Sequence, residues 1–443
     1  MSTPNILFIL SDQQRWDTVD CYGRPIFPGL TPNLDRMAGE GVMFRHAFTP
    51  QPVCGPARSC LQTGQYATET GFHTNHRGLR DGQRTLAHWM SESGYQVGYV
   101  GKWHLSMRWD ETGNAGTQPI PVERRGGYSD YWLAAETLEY TSHGYEGFLY
   151  DINDQRVDFE GYRVDRTADF VIDALRDLNQ RNHSRPFFLF ASFIEPHHQN
   201  DLNRYIGPIG SKEKFRDYNI PGDLENAAGF WEKQLPDYLG CCESLDQNVG
   251  KILAELNSLG ISDDTIVIYT SDHGDHFGTR NSESKRSPHE ASIRVPLIIR
   301  GPGFEGGRIV DELVSLIDLP PTVLAAGDIE APAQMRGHPL QKLLQEGPGD
   351  WPSDVFVQIS ESMVGRALRT DRWKYSIHAP DRDPVHDASS DRYEEYCLYD
   401  LQNDPHERNN LVDFKNHEDL RKELAERLKQ RMKEAGESPC TIG

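Results

Sequence analysis

The sequence predicts an α/β protein: an α/β sandwich on a large, mostly parallel sheet, with a smaller α+β domain and a short antiparallel sheet after it. Three observations carry this reading. Unbroken apolar runs at 5–10, 186–193 and 265–270 lack the alternation of a one-sided strand, so both faces of those strands are expected to be buried. An amphipathic helical stretch at 166–178 and a long helix at 238–259 lie between such runs, which is the strand–helix alternation of a parallel sheet. A Gly/Pro-rich break at 344–354 is followed by short β-like runs and a charged helix, so domains are expected at 1–345 and 355–443.

In chain order, the first strand runs over Asn5 to Leu10 and ends in Ser11-Asp12-Gln13-Gln14. Thr31-Pro32-Asn33-Leu34-Asp35 starts a capped helix, and 41–48 is a strand ahead of Cys54. A helix over 85–90 ends near Gly94, and the strand at 95–100 runs into Gly101-Lys102-Trp103-His104. Residues 107–160 show no clear period and are expected to form a long insert with hairpins, a wall of a substrate pocket. The strand at 186–193 leads to Glu195-Pro196-His197-His198, and that at 265–270 to Ser271-Asp272-His273-Gly274. Another strand is expected at 295–299, then β-like runs at 355–359, 373–376 and 398–400, and a helix from about 418 to 435.

The formal net charge of -21 disfavours nucleic acid as a partner, and an anionic substrate would need local positive charge. The seven cysteines are odd in number and form no CxxC pair, which fits a reducing compartment. No signal peptide is recognised and no run approaches the ~18 apolar residues of a membrane span, so a cytoplasmic protein without membrane contact is expected.

Chemistry concentrates at Pro52 to Gly64. Pro56 suits a first helical turn, Cys54 then lies at the positive end of a helix, and Arg58 lies one turn on, on the same face. Ligand sites in such sheets form beyond the carboxyl ends of strands. Asp12-Gln13 and Asp272-His273 occupy two such ends and offer oxygens and a nitrogen to a hard divalent cation, Ca²⁺ or alternatively Mg²⁺ or Mn²⁺.

Cys54-x-Pro56-x-Arg58 followed by Leu61-x-Thr63-Gly64 resembles the signature of the type I sulfatases, of the alkaline phosphatase-like superfamily. Similar segments run from Asn5 to about Leu411: Thr31 to Asp35 before Gly41-Val42-x-Phe44, Gly101 to His104, Pro196-His197, Lys285 ahead of His289-Glu290 and Arg294-Val295-Pro296, Arg369 to Tyr375, and Leu398 to Pro405. The resemblance implies the alkaline phosphatase-like α/β/α sandwich and hydrolysis of a sulfate monoester, of carbohydrate or aryl type. It implies that a maturating enzyme oxidises Cys54 to formylglycine, whose hydrate is the nucleophile. It assigns Asp12, Gln13, Asp272, His273 and the modified Cys54 to the cation, and Lys102, His197 and Lys285 to the sulfate, with Arg58 and His104 also catalytic. Gln13 departs from the family's second aspartate: its amide oxygen can still ligate, with one negative charge fewer.

Phosphonate and phosphate ester hydrolases of the same fold are the nearest alternative. They share Cys-Gly-Pro-Ala-Arg and can carry Asp-Gln, but tend to lack the Gly-Lys-Trp-His segment kept here at 101–104. Specificity is expected from 72–84, 107–160 and 199–235, where His76, Arg77 and the aromatic residues of the insert could grip a sugar or aromatic ring. Oligomeric state is not legible.

Overall fold

Alternate residues of the first strand, β1 (Asn5–Asp12), pack into two separate cores. Ile6, Phe8 and Leu10 join one apolar cluster with Leu61, Leu86, Met90 and Val323. Leu7 and Ile9 join another with Leu34, Val171, Leu175, Val249 and Ile252. A strand apolar on both faces needs helices on both, so an α/β/α sandwich forms. The computed structural model describes residues 3–23, 25–106, 116–181 and 185–443.

The remaining strands of the main sheet are β2 (Val42–Phe48), β3 (Gln96–Lys102), β4 (Tyr131–Ala135), β5 (Glu146–Asp151), β6 (Arg156–Glu160), β7 (Phe187–Pro196), β8 (Thr265–Ser271), β9 (Arg294–Val295), β10 (Leu297–Arg300) and β11 (Arg308–Ser315). They form an eleven-stranded sheet in the order β11-β2-β10-β8-β1-β7-β3-β4-β5-β6, with β9 paired to β2. The centre, β8-β1-β7-β3-β4, is parallel, and β10, β5 and β6 run antiparallel to their neighbours. The expected large, mostly parallel sheet is therefore present.

Three differences from the sequence reading have physical causes. The stretch expected as an insert supplies β4, which extends the parallel sheet, and the hairpin β5–β6; residues 107–115 of that stretch lie outside the described residues. The helix expected from 238 begins at Trp231 and runs through Pro236 to Ser258. Proline lacks an N–H and disfavours a helix interior, but Trp231 and Leu235 are buried against Phe277 and Leu224, and that packing extends the helix N-terminally. Pro296 divides the strand expected at 295–299 into β9 and β10.

A second sheet comprises β12 (Asp354–Ile359), β13 (Val364–Thr370), β14 (Trp373–Ala379), β15 (Arg392–Asp400) and β16 (Thr441–Ile442). Its strands are antiparallel except for β15–β16. The helix Glu418–Glu434 lays Leu424, Leu428 and Met432 on Phe356, Leu368 and Tyr375. Val355, Val357 and Ala367 pack instead on Phe48, Ile293 and Leu313 of the first sheet's side. Among the described residues no helix is long and apolar enough to cross a membrane.

Candidate active site

The helix Cys54–Thr63 begins at Cys54 itself and ends where Gly64 takes a left-handed conformation. Its first turn is tightly enclosed. Gly55 N–H donates to Asn75 Oδ1 at 2.9 Å. A Cβ on Gly55 would come within 2.8 Å of Phe72. The whole helix is buried, so Cys54 is fixed at the mouth of the parallel strands rather than on a mobile loop.

Strand ends bring the charged groups to it. Asp12 Oδ1 lies 3.5 Å from Cys54 Sγ and His273 Nε2 3.2 Å from it. Lys285 Nζ is 2.8 Å from the same sulfur, 3.0 Å from Gln13 Oε1 and 3.1 Å from His273 Nε2. Lys102 Nζ donates to Asp12 Oδ2 at 2.6 Å. Lys102 reaches this point because Gly101, at φ 103°, lets β3 press on β7; a Cβ there would lie 2.0 Å from Ser192 O.

Arg58 is buried, and its donors are spent on the scaffold. Nε meets Asp272 Oδ2 at 3.1 Å and Nη2 meets Asp12 Oδ2 at 3.0 Å. Nη1 reaches Lys102 O at 2.9 Å and Ser192 Oγ at 2.7 Å. The guanidinium thus ties the ends of β1, β3, β7 and β8 into one unit, and holds two carboxylates that would repel each other if left alone.

These contacts set the protonation states. Burial and the Cys54 thiolate push Asp12 up, but Lys102, His197 and Arg58 outweigh them and hold it below the usual carboxylate range. Burial and the Asp12 charge push Asp272 up to about 6. Burial raises Cys54, and Lys285, Lys102 and His273 overcome it, so its pKa falls well below that of a free thiol. Burial, then Lys285 and Lys102, lower His197. Burial lowers His104 as well, against its hydrogen bond to Cys54. His104 sits at φ 56°, with its N–H on Glu136 O at 2.6 Å.

One ligand atom each from Asp12, Cys54, Asp272 and His273 lies within 4.8 Å of the others. Gln13 Oε1 turns towards the same place because its Nε2 is held by Asp275 Oδ2 at 2.7 Å and Tyr205 Oη at 3.2 Å. His273 Nδ1 faces Gly274 O at 3.0 Å, which leaves Nε2 as the free lone pair. Two carboxylates, an amide oxygen and an imidazole nitrogen fit a divalent cation.

Above Cys54 opens a cavity of about 160 Å³. Lys102, His104, His197 and Lys285 line it with Cys54 and Gln13, so these predicted residues converge; Asp12, Arg58, Asp272 and His273 lie behind. The predicted wall segments contribute Asn75, Glu139 and Asn200, whereas His76 and Arg77 are not among the lining residues. Sequence reasoning did not single out Glu139 within its wall segment, and it missed Glu283 and Arg286 on the rim. A larger cleft of about 590 Å³, lined by Arg15, Trp16, Arg294 and Arg369 among others, holds none of the Cys54 group, so size alone does not locate this chemistry.

The sulfatase family model matches residues 4–329, and that for the C-terminal region of N-sulphoglucosamine sulphohydrolase matches 282–434. The chain is 30% identical to the uncharacterized sulfatase YidJ of Escherichia coli (strain K12), over 97% of this chain and 87% of that one. It is 29% identical to an ulvan-active sulfatase of Formosa agariphila, over 98% and 82%. A solved structure in complex with its substrate D-glucosamine-2-N,6-O-disulfate superposes with TM-score 0.79 at 23% identity, covering 98% of both chains. A phosphonate monoester hydrolase from Silicibacter pomeroyi shares the fold at TM-score 0.69 and 22% identity, over 97% and 95%. The chain belongs to the sulfatase family, and it is an enzyme that hydrolyses sulfate esters.

Proposed function

We propose that the substrate is a sulfated carbohydrate and that Cys54 is the precursor of a formylglycine nucleophile. The observation that carries this is the position of Cys54 Sγ, on the floor of a small cavity and 2.8 Å from Lys285 Nζ. A volume near 160 Å³ takes a sulfate group and its ester oxygen, so the sugar lies against the rim. The ulvan-active relative and the neighbour bound to a glucosamine disulfate support a carbohydrate.

In this reading Lys102, His197 and Lys285 bind the sulfate oxygens and offset the negative charge they carry. Asp12, Gln13, Asp272, His273 and the modified Cys54 would hold a divalent cation, Ca²⁺ by preference for oxygen donors, which supplies further positive charge at the sulfate and at the nucleophile. Converted by a maturating enzyme, Cys54 would present an aldehyde hydrate: one hydroxyl to displace the alcohol, the other to release sulfate. Arg58 keeps Asp12 and Asp272 ionised and in place. His197 protonates the departing oxygen. His104, held neutral by burial, accepts the second hydroxyl's proton.

The test is a panel of sulfated mono- and oligosaccharides, an aryl sulfate and an aryl phosphonate on one matured, Ca²⁺-loaded preparation, with released anion measured by ion chromatography. Stoichiometric sulfate from a sugar, at a kcat/KM above that for the phosphonate, is expected. Faster turnover of the phosphonate would assign the chain to the alternative reaction.

A further inference from the structure

We infer that Glu139 is the positioning residue for His197, fixing which ring nitrogen faces the substrate; the inference rests on the sulfatase reading above. Glu139 Oε2 lies 3.3 Å from His197 Nδ1, with both side chains buried at 8% and 7% exposure. Among the described residues both atoms are buried without a hydrogen-bond partner, the 3.3 Å approach itself falling short of hydrogen-bond geometry. The other oxygen of Glu139 accepts from Asn200 Nδ2 at 2.9 Å, and its backbone carbonyl accepts from Gln199 Nε2 at 3.2 Å. Gln199 Oε1 in turn receives Arg163, which is paired with Glu195 at 2.7 Å. The turn that carries His197 therefore also grips Glu139, and the two side chains are placed by one network.

A buried carboxylate with a single neutral donor is costly unless its second oxygen also meets a proton. His197 Nδ1, 3.3 Å away, is placed to supply that proton once the ring turns into line, so that nitrogen carries hydrogen and Nε2 is left for the cavity. As the S–O bond breaks, its electron pair stays on the ester oxygen. The proton on Nε2 moves to that oxygen, leaving a neutral imidazole whose Nδ1–H still points at Glu139. Water restores the Nε2 proton before the next turnover. Burial, then Lys285 and Lys102, lower His197, and Asp12 and after it Glu139 favour the imidazolium needed at the start of this step.

A positioning role for a proton donor matters most when the leaving group is a poor one. In Glu139→Gln, a side chain of the same shape, kcat on a hexose 6-sulfate is expected to fall about 10–100-fold with KM within about 2-fold. The loss on 4-nitrophenyl sulfate, whose leaving group needs little protonation, is expected to be at least about 10-fold smaller. Nitrogen NMR of the unmodified protein gives a readout apart from turnover: wild type holds His197 as the Nδ1–H tautomer, and Glu139→Gln loses that preference. Equal losses on both esters, no loss on the sugar sulfate, or an unchanged tautomer overturns the inference. A wild-type enzyme inactive on every sulfate ester overturns the reading beneath it, and this one with it, before any variant is compared.

Discussion

Lys285 Nζ lies 2.8 Å from Cys54 Sγ, and no carboxylate pairs with it among the described residues. Lys102, on the other side, is neutralised by Asp12 at 2.6 Å. In the unmodified protein its counter-charge is the Cys54 thiolate; once Cys54 is oxidised that charge is gone, and an anionic substrate would take its place. A buried unpaired charge costs stability, so in the matured enzyme Lys285→Met should leave the melting temperature unchanged or higher while kcat/KM falls about 10²–10³-fold. Calorimetry beside steady-state kinetics checks both, and a variant that loses stability and activity together would contradict the assignment.

Arg58 makes the opposite case. It holds Asp12 and Asp272 from behind the cavity, at 3.0 and 3.1 Å. A lysine keeps the charge but cannot span both carboxylates. Arg58→Lys should lose about 3 kcal/mol in urea denaturation, because two buried carboxylates are left poorly paired.

The cation site can be examined without turnover. Ca²⁺ should raise the melting temperature of the unmodified protein, with about 2.7 kcal/mol of stabilisation at 100 times Kd. Gln13→Gly should weaken binding about 10-fold. Glycine is the suitable replacement because Gln13 sits at φ 68°, where an alanine would be strained. Parallel titrations with Mg²⁺ and Mn²⁺ rank the ions, and an affinity unaffected by Gln13→Gly would remove that oxygen from the ligand set.

His73 offers a pH dependence away from the chemistry. It is buried, and burial, then Arg77 and Arg366, push it down to about 4. The unfolded chain takes up a proton near pH 6.5 that the folded state refuses, so stability from this group is complete above pH 6.5 and is lost as pH falls towards 4. Between pH 7 and 5 the wild type should lose about 2 kcal/mol relative to His73→Leu. Parallel melting curves for the two proteins would show the gap, and its absence would mean that His73 accepts its proton when folded.

Much of this site was legible because strand ends point one way. Asp12, Lys102, His197 and Asp272 each follow an apolar run, and four adjacent parallel strands deliver them to one place. Cys54 and Arg58 followed from helix geometry, since residues four apart share a face. Glu139 was legible only as part of a stretch expected to wall the pocket, not as a residue. It follows Tyr131–Ala135, a five-residue strand hidden in a stretch without period, and only pairing with β3 shows that its carboxyl end meets the same mouth. The start of the helix at Trp231 was hidden for a related reason: Pro236 argues locally for a later start, and the burial that overrides it comes from Phe277 and Leu224, distant in the chain.

The central claim is that Cys54 supplies the nucleophile only after oxidation. Peptide mass spectrometry of active enzyme tests it most directly, because thiol-to-aldehyde conversion lowers the Cys54 peptide by about 18 Da. The converted fraction should track sulfate release across preparations and vanish with it in Cys54→Ala. A fully active preparation whose Cys54 peptide carries only the intact thiol would contradict it.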